Sequence, residues 1–559
     1  MSQAEGLKRV FGIDLGTTYS VISYVDEHGK AVVVPNQESE RITPSVVLFD
    51  GDAVIVGDTA KESAKVEPHR VVSRVKQHMG DPNFVFEHEG RTYNAEDVSS
   101  FILRKVVGDA EIALGEPITD VVITCPAYFG TPEREATANA GRLAGLNVRA
   151  ILNEPTAAAV AYGLEQGADQ TVLVYDLGGG TFDVTMIEIK DRLIRVVCTG
   201  GDHRLGGALW DEAVVMYLAE QFREQTGEES DPLDDPEVLN DLALQAERGK
   251  KTLTQREKAP FRVTHAGKQA RVELDRAKFE EITRHLLDRT IELTREMLDD
   301  ARAKGHEAFD KIVLVGGATR MPQVRDRVVA EFGVEPESYD PDEAVAKGAA
   351  LYGLKESLQE GVRDILAGSE EGAAVINGEN GPIDLSEVSE AEVAEALDRL
   401  EGQLGFTLTG PVRELVGTKI VNVLSKSLGV VAIDADRKEV VVYLLPRNSE
   451  VPFERSTDFG TDAEGQAAVD IRVMSGERDS PDPADCQEVG LATLHLPERL
   501  PARSPIRVKF AITRDGRLNV TAVDLTAGGA IDVEFQTEAV SDSEAVAERS
   551  TALRMLSVS

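Results

Sequence analysis

Phe11-Gly12-Ile13-Asp14-Leu15-Gly16-Thr17-Thr18 runs an apolar strand into an Asp-Leu-Gly-Thr turn, and Val174-Tyr175-Asp176-Leu177-Gly178-Gly179-Gly180-Thr181-Phe182-Asp183 repeats the arrangement much later in the chain. Each copy reads as a strand, a tight glycine turn and a second strand, so the chain carries an internal repeat. Glycine lets backbone N–H groups come close to a phosphate, and such a turn forms an anion-binding nest. Asp14, Asp176 and Asp183 supply the hard oxygen ligands that Mg²⁺ accepts, directly or through its waters. Two copies predict two lobes that clamp one polyphosphate from opposite sides. A third element, Ile312-Val313-Leu314-Val315-Gly316-Gly317-Ala318-Thr319-Arg320-Met321-Pro322, is a buried strand, a Gly-Gly turn and a helix start, where free N–H groups bind anions. Alone, an Asp-Leu-Gly turn is ordinarily just a hairpin, and Gly-Gly before a helix is commonly structural. Three occurrences, each after an apolar strand, predict a nucleotide site. The chain has no Gly-x-x-x-x-Gly-Lys-Ser/Thr stretch, so a P-loop fold is not supported.

Outward from these turns, the first third alternates short β-branched runs (10–14, 21–25, 31–34, 46–49, 172–176, 182–189) with helical patterns at 132–144 and 154–166. Long helical stretches follow at 208–223, 236–253 and 276–303, then a strand at 312–315 and helices at 321–332 and 341–354. This alternation predicts an α/β fold. Residues 361–417 are strongly acidic (Glu370, Glu371, Glu379, Asp384, Glu387, Glu390, Glu392, Glu395, Asp398, Glu401). There Ser389-Glu390-Ala391-Glu392 is a capping box, and Leu397, Leu400 and Leu404 recur at helical spacing, so a linker with one amphipathic helix is expected. From Val421 the period becomes two. Strands are expected at 439–445, 466–474, 489–496, 506–513, 517–523 and 531–536, with Arg514-Asp515-Gly516 as the clearest turn, which predicts a β-sandwich. Residues 540–559 permit one short helix capped by Ser541 or Ser543.

The chain has 559 residues, too many for one hydrophobic core, and an apolar fraction of 42% that excludes wholesale disorder. A formal net charge of −38 argues against phosphate backbones and anionic lipid, so no nucleic-acid or membrane partner is expected. The 3 cysteines, Cys125, Cys198 and Cys486, are widely spaced and odd in number, which fits neither a disulfide framework nor a zinc cluster. With no signal peptide and no long apolar run, a reducing cytoplasmic setting is expected.

The motifs resemble those of the 70-kilodalton heat-shock protein (DnaK-type chaperone) family, built on the actin-like ATPase fold. Residues 12–20, Thr124-Cys125-Pro126-Ala127-Tyr128-Phe129, Asn153-Glu154-Pro155-Thr156-Ala157-Ala158-Ala159, residues 176–183, Leu205-Gly206-Gly207, residues 315–322 and Pro341-Asp342-Glu343-Ala344-Val345-Ala346 match in order. The resemblance implies an α/β actin-like ATPase domain of two lobes at 1–366, the acidic insertion at 367–417, a β-sandwich peptide-binding domain at 418–540 and a short helix or tail at 541–559. It implies that Gly16, Thr17, Thr18 and Tyr19 form the first phosphate loop, and Gly178, Gly179, Gly180 and Thr181 the second. Asp14, Asp176 and Asp183 correspond to the acids that organise Mg²⁺, potassium ions and the attacking water. Lys76 matches the lysine that reaches the γ-phosphate, and Glu154 the hydrolytic glutamate; without the family, the one reads as a solvated charge and the other as a helix N-terminal acid. Glu247, Lys250, Lys251 and Thr254 match an adenosine clamp on one helix face, otherwise a routine surface stripe. Gly206, Gly207, Gly316, Gly317, Arg320 and Asp342 complete the pocket, while Ala318 replaces a polar residue common there. Pro126 and Arg134 match a switch that relays nucleotide state.

In the β part, Ser427-Leu428-Gly429-Val430, Phe459, Val469, Ile471 and Gly476-Glu477-Arg478 align with the family's peptide-binding sandwich. Val430, Phe459, Val469 and Ile471 are expected to line a pocket for an aliphatic side chain, or else to be ordinary core. Two departures stand out. The helical lid of the family is expected to be mostly missing, which predicts fast peptide release. The apolar interdomain linker is displaced, with Ile365-Leu366 and Ile420-Val421 as alternative docking segments. The resemblance implies an ATP-dependent chaperone of the heat-shock type, hydrolysing ATP to ADP, active in protein folding and the stress response. Its implied partners are unfolded polypeptide, a J-domain co-chaperone and a nucleotide exchange factor. A nucleotide-gated regulatory protein is the alternative, and a small-molecule kinase of the actin-like superfamily is a third reading disfavoured by the appended sandwich.

Overall fold

The computed structural model describes residues 9–166, 169–367, 388–404, 407–476, 480–497, 500–513, 518–534 and 543–559. Parts of the acidic stretch, the turn at 514–516, Glu477-Arg478 and Ser541 lie outside them.

Two mixed sheets carry the repeat. The main path of the six-stranded sheet runs Asn147–Asn153, Asp120–Cys125, Val10–Leu15, Tyr19–Val25, Ala31–Val33. The seven-stranded sheet runs Glu337–Ser338, Lys311–Val315, Gln170–Leu177, Phe182–Lys190, Leu193–Asp202, Lys419–Val423, Glu450–Val451. In each, the strand that ends in the aspartate turn pairs in parallel with one neighbour and antiparallel with the strand that follows it. The sequence echo is therefore an echo of topology. A parallel neighbour needs a crossover, and the central strands are buried on both faces, which is why they read as continuous apolar runs.

Helix Ala344–Ala367 packs across the first sheet and against helix Glu154–Gln166. A Cβ on Gly348 would fall 1.7 Å from the Ala157 carbonyl oxygen, so the alanine-rich stretch serves close helix–helix approach. The predicted helices at 154–166 and 276–303 are present as Glu154–Gln166 and Arg276–Ala303. Helix Ala95–Leu114 was not anticipated. Its signal is the pair Asn94/Asp97, which bond reciprocally at 2.9 and 3.0 Å. The hairpin Lys258–His265/Lys268–Asp275 was also missed, although burial alternates from Lys258 to Thr264 and from Gln269 to Asp275.

The predicted sandwich is present as two four-stranded antiparallel sheets around one core that includes Leu444, Val473, Phe510 and Leu518. One sheet runs Glu439–Leu445, Ser427–Ile433, Ala468–Gly476, Gln487–His495; the other runs Phe453–Gly460, Pro505–Ile512, Leu518–Asp524, Ala530–Glu534. Phe453–Gly460 escaped the sequence reading because it is an edge strand with mostly exposed, polar side chains.

The insertion departs from expectation. Helix Ala344–Ala367 continues through Arg363-Asp364-Ile365-Leu366, so these residues do not begin an extended linker. Two helices follow among the described residues, Glu390–Leu404 and Gly410–Gly417, where one was expected. The Ser389/Glu392 capping box forms as predicted. Leu397, Leu400, Leu408, Val412 and Val416 bury against Leu358 and Val362, so apolar burial holds the pair to the long helix. The docking segment is Ile420-Val421: strand Lys419–Val423 pairs in parallel with Leu193–Asp202. Among the described residues no helix is long and apolar enough to cross a membrane.

Candidate functional site

A cleft of about 510 Å³ is walled by both sheets. Asp14, Gly16, Thr17, Thr18 and Tyr19 line it from the first hairpin, Asp176, Gly178, Gly179 and Thr181 from the second, and Gly316, Gly317 and Arg320 from the third element, with Asp342 beside them. The two hairpins touch. A Cβ on Gly179 would lie 1.7 Å from Thr18 Oγ1, and one on Gly180 would lie 2.4 Å from Thr17 Cγ2. Only glycine permits that approach, which explains the third consecutive glycine in the second copy. Gly180 and Gly206 stand behind the lining, back to back, and the Gly207 N–H donates to the Gly178 carbonyl at 2.9 Å.

Lys76 sits in a short 3-10 turn, Val75–His78, and reaches the start of helix Glu154–Gln166. Its Nζ donates to Glu154 Oε1 at 2.5 Å, with the side chains only 6% and 9% exposed. Burial pulls the lysine's pKa down, but Glu154 and Asp14 outweigh it and leave the pKa raised. The acids around it respond in the opposite sense. Burial, then Glu154, pushes Asp14 up to about 7, with Lys76 opposing. Burial and Glu154 likewise lift Asp176 and Asp183 well above the usual carboxylate range. Neither Asp183 oxygen has a well-formed hydrogen bond among the described residues. One lysine thus faces more buried carboxylates than it can neutralise, so the donor set fits added cations. Among the described residues no group of three such side chains is placed to hold a metal ion directly.

At the other end of the cleft, Glu247 accepts a hydrogen bond from Tyr19 Oη at 2.7 Å and pairs with Lys61 at 2.5 Å and Lys251 at 2.9 Å. Burial would raise the Glu247 pKa, but Lys61 and Lys251 outweigh it and hold it at about 2. The Tyr19 ring has the Lys61 and Lys251 ammonium groups 4.9 and 4.8 Å from its centroid. Tyr19 therefore groups with the predicted clamp as well as with its own phosphate turn. Lys250 turns away from Glu247: it bonds the Gly207 carbonyl at 2.7 Å and Asp211 at 2.8 Å. Thr254 lines the cleft, and Arg320 pairs with Asp342 at 2.5 Å beside Gly317. Lys61 and Asp211 were missed, since an isolated lysine or aspartate on a helix carries no signal of its own.

Arg134 donates to the Phe129 carbonyl at 2.9 Å and to Asn153, the residue before Glu154. The segment after the docked strand meets the same place. Asn422 Oδ1 accepts from Thr156 Oγ1 at 2.9 Å, Ser425 donates to the Phe129 carbonyl at 3.2 Å, and Lys426 pairs with Glu133 at 3.3 Å.

The four residues expected to line a peptide pocket, or else to be ordinary core, lie in the sandwich. Val430, Phe459, Val469 and Ile471 do gather at one core, but Val430 and Ile471 are 4% and 3% exposed inside it. Phe459 and Val469 are partly buried against that core.

The family model described as Hsp70 protein matches the chain over residues 10–84, 81–367 and 407–555. Most of the insertion falls between the last two segments.

Proposed function

We propose that this chain, which belongs to the Hsp70 family, hydrolyses ATP to ADP and phosphate in the cleft and uses that cycle to control the binding of extended apolar polypeptide by its sandwich. The observation that carries the reading is the contact of the two glycine hairpins, Thr17-Thr18 against Gly179-Gly180, beside the buried Lys76–Glu154 pair. Phosphoryl transfer to water asks for positioning and charge neutralisation rather than covalent help. The hairpin N–H groups would hold the β- and γ-phosphates between the sheets. An arriving γ-phosphate competes with Glu154 for the Lys76 ammonium, so Glu154 is released to orient a water and accept its proton. Asp14, Asp176 and Asp183 would hold Mg²⁺, and potassium ions with it, through water. The bound cations would neutralise phosphate charge. Glu247, Lys251 and Tyr19 would take the adenosine.

The test is the ATPase rate with and without an extended apolar peptide, and with a J-domain co-chaperone and an exchange factor. Phosphate release that rises on adding peptide supports the reading; no adenine nucleotide uptake by calorimetry overturns it. A second reading, a nucleotide-gated regulatory protein without refolding activity, is favoured by the interior position of Val430 and Ile471. Refolding of a denatured reporter separates the two.

A further inference from the structure

The last residues of the sequence form a strand on a sheet edge. Ser557–Val558 pairs in parallel with Ala53–Val56, with Ser557 opposite Ala53 and Val558 opposite Val54. Beyond the paired residues, the Val56 N–H donates to the Ser559 carbonyl at 2.8 Å and the Ser559 N–H donates to the Val54 carbonyl at 3.0 Å. This strand lies past residue 555, where the family match stops. It is led there by helix Ser543–Leu553, whose Val546 and Leu553, with Leu556 beyond, bury in the same core as Val54, Val56 and Val75. The Arg104 guanidinium donates to the carbonyls of Leu553 and Leu556 at 2.8 and 2.9 Å. Arg549 pairs with buried Asp97.

The sheet that receives this strand runs Ser557–Val558, Ala53–Val56, Val46–Asp50, Val71–Ser73. Its far strand leads through Arg74 directly into the turn that carries Lys76. The sandwich segment is thus pinned at both ends: Lys419–Val423 joins the sheet of the second hairpin, and 557–559 joins the sheet that positions Lys76.

We propose that the docking of strand Ser557–Val558 on the edge of Ala53–Val56 sets the position of Lys76. Main-chain pairing supplies the binding, as in strand addition generally. An unpaired edge strand twists and frays, and here the fraying would pass through Val46–Asp50 to Val71–Ser73 and the lysine turn. Ser559 and Val558 act as positioning residues that never touch the nucleotide. The strand docking stands on this geometry alone, whereas its effect on turnover rests on the ATPase reading above.

The test compares the full chain with Ser559→Pro, which removes the amide donor, and Ser559→Ala, which keeps it. Hydrogen exchange is followed without nucleotide at several protein concentrations. In Ser559→Pro the Val56 amide should exchange about tenfold faster or more, and the Val71–Ser73 amides should follow, while Ser559→Ala matches the parent. The kcat for ATP should fall about tenfold with KM unchanged. Unchanged Val56 exchange in Ser559→Pro overturns the acceptor site. Protection that grows with protein concentration overturns docking within one chain in favour of a second copy's strand. Faster exchange with an unaltered kcat overturns the link to Lys76. A parent chain without ATPase activity defeats the proposed function and the link to Lys76, and the exchange data still decide the acceptor site.

Discussion

Replacing Lys76 tests the charge balance of the cleft most directly. Its ammonium lies 2.5 Å from Glu154, and both side chains are buried. At an effective dielectric of about 20, a contact of that length is worth about 7 kcal/mol of gross attraction. Most of this offsets desolvation, so the net pair is worth far less. Deleting one partner, however, leaves the other charge buried and alone, which costs about 3–5 kcal/mol. Lys76→Met also removes the cation that opposes the upward pKa shift of Asp14, Asp176 and Asp183 alike. We expect Lys76→Met to destabilise the nucleotide-free chain by the full amount. The double variant Lys76→Met/Glu154→Gln should be less destabilised than the sum of the single changes by about 2 kcal/mol. Urea unfolding followed by far-UV circular dichroism measures this. In single-turnover ATP hydrolysis Lys76→Met should lose about 10²–10³-fold in rate while ADP binding survives. Additive stabilities would show that the two side chains do not form the buried pair. A near-normal hydrolysis rate would remove Lys76 from the reaction.

Glu247 gives a pH test. Its folded-state pKa, about 2, lies below the ordinary 4.5, so the contribution is present above pH 4.5 and lost as the pH falls toward 2. It should amount to about 3 kcal/mol, and Glu247→Gln should flatten that part of the acid-unfolding curve. Ile471→Ala should cost about 2–5 kcal/mol of sandwich stability, because the side chain is core; a loss of peptide affinity with unchanged unfolding would instead make it an exposed pocket residue. Asn422→Ala removes the partner of Thr156, two residues from Glu154, and should weaken peptide stimulation of the ATPase while leaving the basal rate close to the parent's. Stimulation equal to the parent's would exclude that contact from the coupling.

The two hairpins, the sandwich and the long helices were legible because each is written in short-range terms: an aspartate at a strand end, glycines in a turn, a period of two or of 3.6. Glu154–Gln166 and Arg276–Ala303 came out with their predicted limits for that reason. The same reasoning failed where the pattern is weak or its meaning depends on a neighbour. Phe453–Gly460 is a strand only because Pro505–Ile512 pairs with it. Residues 363–366 read as linker, yet helix Ala344–Ala367 continues through them because the insertion helices bury against that helix.

By itself the amino-acid order determined which residues could turn, pair or cap, and hence that two strand–glycine–strand units exist. Only the tertiary structure decided who meets whom: Lys76 with Glu154 across 78 positions, Tyr19 with Glu247 across 228, and Arg549 with Asp97 across 452. Local rules act over a few residues and say nothing about such distances. These partnerships follow from which apolar faces pack together, and burial then turns ordinary lysines and carboxylates into a site by denying them water.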